Sequence, residues 1–232
     1  MRILFILSSI PVGGLEVFTV NLAEELIKTG HDPHILVFKS PDEALNFLVT
    51  GRIKVFSAGR NGKFNFSFLG NVHKYIKDLK PDVIVSLSSF AYFFVEFLQK
   101  LSGWHAPHII AFHSLKPYDF KDKFLSKLFL FVSKLWKAYY LFVSRNQFIV
   151  NSKCYNLSER NSFIIHNAVD TEFFAPTGKK NDNGSLNIIH IGNIVPEKDQ
   201  WTLINSLEIL DKSFTDWKLV FLGRDKINLL EI

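Results

Sequence analysis

Two adjacent glycines, Gly13 and Gly14, are the residues in this chain best suited to chemistry. They lie between an apolar run, Ile3 to Leu7, and a stretch of helical periodicity in which Leu15, Phe18, Leu22 and Leu26 share a face. Glycine, lacking Cβ, lets the main chain come close to a ligand. The helix start behind it offers unpaired N–H groups and the positive end of a dipole. Strand, glycine loop and helix together suit phosphate, and the working expectation is a loop that cradles the diphosphate of a nucleotide-sugar.

Other chemistries are argued against by motif. The loop reads S-S-I-P-V-G-G-L-E, so the dinucleotide fingerprint G-x-G-x-x-G is absent. G-x-x-x-x-G-K-[ST], H-E-x-x-H and G-x-S-x-G are absent as well. A single cysteine, Cys154, excludes an internal disulfide framework and a cysteine-rich metal site, and it fits a reducing compartment. The formal net charge of +5 suits phosphates or lipid headgroups without choosing between them, and nothing points to nucleic acid.

The elements that position the loop alternate strand and helix. Strands are expected at 33–38, 53–56, 83–85, 108–112, 147–150 and 163–165, and helices at 41–49, 66–79 and 90–101. The N-terminal MRILFILSS reads as the first strand rather than a signal peptide. Residues 83–98 carry Ser86, Ser88, Ser89 and Glu96, and read as strand then helix, not a membrane span. This pattern predicts an α/β fold with a doubly wound parallel sheet over residues 1–175. Ligands of such sheets bind beyond the C-terminal strand ends. That rule places Gly13, Gly14, the segment after Val85, His113 and Asn151 on one rim.

A polar linker is expected at 176–185, after which the pattern begins again at 186–232: strand 186–191, loop 192–197, helix 198–210, strand 217–222. This second Rossmann-like domain is expected to be an incomplete start. Residues 120–145 read as one basic amphipathic helix. Lys123, Lys127, Lys134, Lys137 and Arg145 form a stripe opposite Phe124, Leu128, Val132, Leu135, Trp136, Tyr139, Phe142 and Val143. Such a helix would lie on an anionic membrane surface, or pack on the core with its lysines solvated.

Four stretches resemble family 4 glycosyltransferases of the GT-B type, which have two Rossmann-like domains. PVGGLEVFTVNLAEEL is similar to the family's G-G-x-E loop and helix, and FIVNSK to its N-S strand end. IIHNAVDTEFFAP is similar to I-P-N-G-V-D-x-x-x-F-x-P, and IHIGNIVPEKDQWTLINSLEIL to the V-G-R-L-x-x-E-K-G segment that opens the second domain. The resemblance implies a metal-independent transferase that moves a sugar from a nucleotide diphosphate with retention. It makes His113 the histidine that contacts the transferring sugar. It makes Gly13, Gly14, Gly192, Asn193 and Lys198 donor contacts, and Lys198 the charge that meets the leaving diphosphate. Asn151 and Ser152 read as helix caps.

The chain also departs from the family's pattern. Asn193 stands where arginine is usual, and a neutral amide does not replace a bidentate cation on phosphate. Asn167-Ala168 stands where Asn-Gly is usual, and the resemblance places the family's E-x7-E donor motif further along the second domain than residues 186–232 reach. Two readings follow. One is a cytoplasmic glycosyltransferase, peripheral on the inner face of the membrane, that glycosylates a glycan or lipid-linked acceptor in cell-surface polysaccharide or lipopolysaccharide synthesis. The other is a non-catalytic, acceptor- or partner-binding module complemented by a separate C-terminal half.

Overall fold

The computed structural model describes residues 1–7, 14–39, 51–62, 65–103, 105–113, 120–176, 186–210 and 216–224, with 120–126 and Glu197 given by backbone alone. Gly13, the short helix expected at 41–49 and residues 177–185 of the expected linker lie outside the described residues. The chain divides into two compact units, Met1–Val169 and Asp170–Ile232.

Unit 1 is built on seven strands: β1 (Arg2–Leu7), β2 (Asp32–Val37), β3 (Lys54–Ser57), β4 (Val83–Ser86), β5 (His108–Phe112), β6 (Tyr139–Phe142) and β7 (Ser162–Ile164). All pairs are parallel, and the order is β3-β2-β1-β4-β5-β6-β7. The direction of winding reverses between β1 and β4, where ligands of such sheets bind. The connecting helices are α1 (Gly14–Lys28), α2 (Phe68–Leu79), α3 (Ser89–Ser102), α4 (Phe120–Leu135) and α5 (Arg145–Tyr155).

Strand alternation splits the core into two layers. Phe5, Leu7, Ile35 and Val37 face α1 through Val20 and Ala23. Leu4, Ile6, Leu36 and Ile84 face α2 and α3 through Val72, Ile76 and Val95. Ile110, Tyr140 and Phe142 extend that second layer to Leu130 of α4 and Tyr155 of α5. Both faces are covered, which is why the strands read as continuous apolar runs.

One polar network lies inside this packing. His108 Nδ1 lies 3.1 Å from Glu96 Oε2, and Ser86 Oγ lies 2.8 Å from His108 Nε2. Gln99 Nε2 also donates to Glu96 Oε2, at 3.1 Å. Burial holds the His108 imidazole below its ordinary pKa, outweighing the pull of Glu96. A neutral ring then donates from Nδ1 to the carboxylate and accepts the Ser86 hydroxyl proton at Nε2, so each group is satisfied.

Two expectations are corrected here. The expected 120–145 helix ends at Leu135, and Tyr139–Phe142 is strand β6, so Tyr139, Phe142, Val143 and Arg145 are not on that helix. Lys137 turns out of it in the left-handed region, with φ 55°. Ala138 N donates back to Ser133 O at 3.0 Å, closing the helix end without a glycine. Ser133 Oγ, bonded to Tyr140 Oη at 3.0 Å, ties that end to β6.

The second correction concerns 147–150, which is not a strand but part of α5. Ser144 Oγ caps α5 by accepting from Gln147 N at 3.1 Å, and Gln147 Oε1 accepts from Val143 N at 3.0 Å. This is a reciprocal cap of the S-x-x-Q kind, legible in the sequence. Asn151 therefore sits inside α5, buried, with Nδ2 donating to Gln147 O at 2.9 Å; neither it nor Ser152 is a cap.

Unit 2 holds a two-stranded parallel sheet, β8 (Leu186–Ile191) and β9 (Trp217–Leu222), crossed by α6 (Gln200–Leu210). The expected helix at 198–210 begins two residues late. Pro196–Lys198 form a 3₁₀ turn, and Asp199, at φ 49°, accepts from Thr202 N through Oδ1 to start α6.

Candidate functional site

In unit 1 the rim is formed at the C-terminal ends of β1, β4 and β5. Gly14 opens α1 behind β1, and a Cβ added there meets nothing within 4 Å. Ser88, after β4, caps α3 by accepting from Ala91 N at 3.1 Å. His113 follows β5 directly. Beside it, after β6, come Val143 and Ser144; Asn151, expected on this rim, is displaced into α5.

His113 is brought against α1 by Phe18, whose ring lies 4.8 Å from the imidazole at 58°. Burial pulls the His113 pKa down to about 4, so the ring is neutral at pH 7. Its Nε2 is buried and has no hydrogen-bond partner among the described residues. A buried polar atom left unpaired costs about 1–3 kcal/mol. A ligand hydroxyl or phosphate oxygen at this rim would satisfy it. Glu16, the acid of the G-G-x-E stretch, is also buried on α1.

In unit 2 the loops after β8 and β9 are locked together. Gly192 N donates to Leu222 O, and Ile194 N to Arg224 O, both at 2.9 Å. A Cβ on Gly223 would lie 1.9 Å from Gly192 O, so only glycine fits. Gln200, buried, donates from Nε2 to Asn193 O at 2.9 Å and fixes that loop. Lys198 lays its stem over Gly192: its Cδ and Cε are 3.6 and 3.7 Å from where a Gly192 Cβ would stand. His190 Cε1 is 3.6 Å from the same point, and the His190 Nδ1 is buried without a partner among the described residues.

Gly14 and His113 are thus gathered in unit 1, and Gly192, Asn193 and Lys198 in unit 2. His190 and Gly223 were not singled out in the sequence. His190 is hidden in an apolar strand pattern, and Gly223 is one glycine after a strand, with no spacing to mark it. On α4, Lys127 is exposed and Lys134 half-buried. Lys137 lies in the turn beyond the helix, and the Lys123 side chain lies outside the described residues. No described helix is long and apolar enough to cross a membrane.

Comparison with known proteins agrees with this architecture. The model of Glycosyltransferase Family 4 matches residues 12–173. No curated protein matches in sequence. Among solved structures, Anabaena HepE in complex with UDP is 16% identical with a TM-score of 0.74, covering 100% of this chain and 63% of its own. The lipopolysaccharide outer core galactosyltransferase WaaB is 17% identical with a TM-score of 0.65, covering 97% and 62%. A mutant of S. aureus TarM, solved with Fondaparinux, alpha-GlcNAc-glycerol and UDP, is 11% identical with a TM-score of 0.67, covering 98% and 73%. The chain spans less than two thirds of the length of the first two. At these identities the likeness is one of fold, that of GT-B glycosyltransferases. With seven parallel strands, a glycine-led first helix and a family match over most of its length, this chain belongs to Glycosyltransferase Family 4.

Proposed function

We propose that the chain is part of a retaining glycosyltransferase that moves a sugar from a nucleotide diphosphate to a glycan or lipid-linked acceptor, in cell-surface polysaccharide or lipopolysaccharide synthesis. The observation that carries the reading is His113. Its imidazole is neutral, buried at the sheet rim and unpaired at Nε2 among the described residues, beside the helix that Gly14 opens. A neutral histidine there can hydrogen-bond a sugar hydroxyl without adding charge. The α1 N-terminus with Gly13 and Gly14 suits the donor phosphates. The Lys198 ammonium and the Gly192–Asn193 loop suit the negative charge that grows on a leaving diphosphate. The resemblance implies that no metal is needed. HepE bound to UDP and TarM bound to UDP support a nucleotide-linked donor.

The test is calorimetric titration of the chain with UDP and other nucleoside diphosphates, followed by a transfer assay with the matching sugar nucleotides. Saturable binding is expected, and weaker binding in Lys198→Gln. Absence of heat with every nucleoside diphosphate would sink the donor assignment.

The place of action proposed is the cytoplasmic face of the membrane, reached through α4. Its outer side exposes Leu128, Phe131 and Leu135 next to Lys127 and Lys134. An apolar stripe edged by lysines suits an anionic bilayer surface. Each lysine near such a surface contributes about 1 kcal/mol. Replacing Lys123, Lys127, Lys134 and Lys137 with Gln is therefore expected to weaken partition into anionic vesicles at least about tenfold. Equal sedimentation of the variant and the parent chain would remove the argument.

A second reading is favoured by unit 2. A two-stranded parallel sheet is normally covered on both faces, yet Ile191 is 79% and Ile189 60% exposed on β8, and Ile209 is 71% exposed on α6. A non-catalytic module that binds a separate donor-side half would use those surfaces. Transfer at a normal rate by the chain alone decides against this reading.

A further inference from the structure

At the opposite end of the sheet from His113, where β5 and β6 begin, unit 1 carries a cleft of about 310 Å³. That is the lower end of the size range of ligand pockets, roughly 300–1,000 Å³. Its floor is closed by Glu96, His108 and Tyr92, and its mouth is set by Lys100, His105 and Lys137. Glu96 is the only acid among the described lining residues, and it is already engaged. His108 and Gln99 bond one oxygen, and Lys100 Nζ lies 3.6 Å from the other. Lys100 is steadied over the Trp136 ring, 5.3 Å from its centroid. His105 and Lys137 are exposed and have no acidic partner among the described residues. The charge turned towards the mouth is therefore positive.

What borders the cleft narrows its ligand. The turn that supplies Trp136 and Lys137 follows directly on α4, so the exposed Leu128–Phe131–Leu135 stripe leads to the cleft. The packed neighbour α3, held to α4 through Phe93 and Phe129 at 4.8 Å, exposes Phe97 and Leu101. Trp136 and Tyr139 in the cleft wall are residue types that settle at headgroup depth in a bilayer. Groups suited to acyl chains thus adjoin a cationic, aromatic-walled hollow.

Resting on the membrane reading above, we infer that this cleft takes the phosphate-bearing headgroup of a membrane lipid. It makes the α3–α4 face selective for that lipid, where a lysine stripe alone gives only general attraction. The site lies away from the rim of Gly14 and His113, so headgroup binding and sugar transfer are separable.

The experiment uses the whole chain, vesicles of phosphatidylcholine with and without phosphatidic acid, and soluble glycerol 3-phosphate. The cleft variant is His105→Gln with Lys137→Asn, since asparagine tolerates the left-handed backbone at 137. The comparison variant, Lys127→Gln with Lys134→Gln, removes the same number of lysine and histidine side chains outside the cleft. Circular dichroism checks that both fold. Phosphatidic acid is expected to raise vesicle binding, and the cleft variant to lose on the order of tenfold. That loss should persist in high salt, where general surface attraction is screened; the comparison variant's loss should fade there. Wild-type-like binding by the cleft variant overturns the headgroup site and leaves the membrane reading standing. Vesicle binding by neither protein overturns both. Saturation by glycerol 3-phosphate without preference for phosphatidic acid overturns the lipid source, making the cleft a site for free phosphate.

Discussion

Replacing His113 with Phe is expected to raise the protein's thermal stability and, on the proposed function, to lower sugar transfer about a hundredfold or more. The two effects come from one atom. His113 Nε2 is buried and unpaired among the described residues, so the free protein bears its desolvation. Phenylalanine removes that atom and keeps a ring against Phe18. A gain of about 1 kcal/mol is expected after some loss to the altered ring size. Transfer should fall about a hundredfold or more, the cost of removing one preorganised hydrogen-bonding group at a reacting centre.

The pH dependence gives a second readout of the same residue. The unfolded chain takes up a proton at this histidine near pH 6.5, whereas the folded chain resists until about 4. The unfolded state therefore binds more protons between those values, and stability is lost as pH falls through that window. In His113→Phe that part of the acid sensitivity should vanish, leaving the share due to His108, whose pKa burial also lowers. Thermal melts of both proteins from pH 7 to pH 4 would show it. A lower midpoint at pH 7, or transfer at the parent rate, would refute the role given to His113.

The second large effect is expected at Gly223. An alanine Cβ there would stand 1.9 Å from Gly192 O and 2.5 Å from Gly192 C, both main-chain atoms that cannot swing away. The paired loops after β8 and β9 must separate, breaking the bonds from Gly192 N and Ile194 N. Overpacking of this kind costs about 1–3 kcal/mol, and the two hydrogen bonds add roughly 1 kcal/mol each. Amide exchange of Gly192 and Ile194 should quicken by orders of magnitude, while protection in β1, β4 and β5 stays unchanged. Nucleoside diphosphate affinity should fall with it, because the same loop carries Asn193 and frames Lys198. Unaltered exchange in Gly223→Ala would show that the loops can part at little cost.

Much of the sheet was legible because parallel strands buried on both faces read as near-continuous apolar runs. The strands expected at 33–38, 53–56, 83–85, 108–112 and 163–165 all stand within a residue of their places. The failures sit together at 136–150. Tyr139–Phe142 fits a helical stripe as well as a strand, and the helix before it ends on a lysine in the left-handed region, not on glycine or proline. That end is fixed by tertiary bonds from Ser133, which periodicity does not reveal. Once periodicity absorbs β6 into the helix, the next apolar run, 147–150, reads as the strand, although Ser144 and Gln147 spell a helix start. At the site, Gly14 and His113 could be placed by strand order alone. The exposed apolar side chains of α4 could not, since nothing in Leu128, Phe131 and Leu135 tells whether a neighbour covers them.

The Glu96–His108–Ser86 chain has a consequence for how the sheet assembles. Apart from Ser86 and His108, β4 and β5 are apolar on both faces, so hydrophobicity alone would let one slide along the other. In the native pairing Ile84 lies opposite His108 and Ser86 opposite Ile110, which sets Ser86 and His108 diagonally across one face. A shift of one residue would turn the imidazole to the other layer, away from both Ser86 and Glu96, and leave the Ser86 hydroxyl and the imidazole dry and unanswered. The two hydrogen bonds thus serve as a proofreading mark between otherwise interchangeable strands. Because His113 follows directly on β5, the same mark sets how far that histidine projects beyond the sheet.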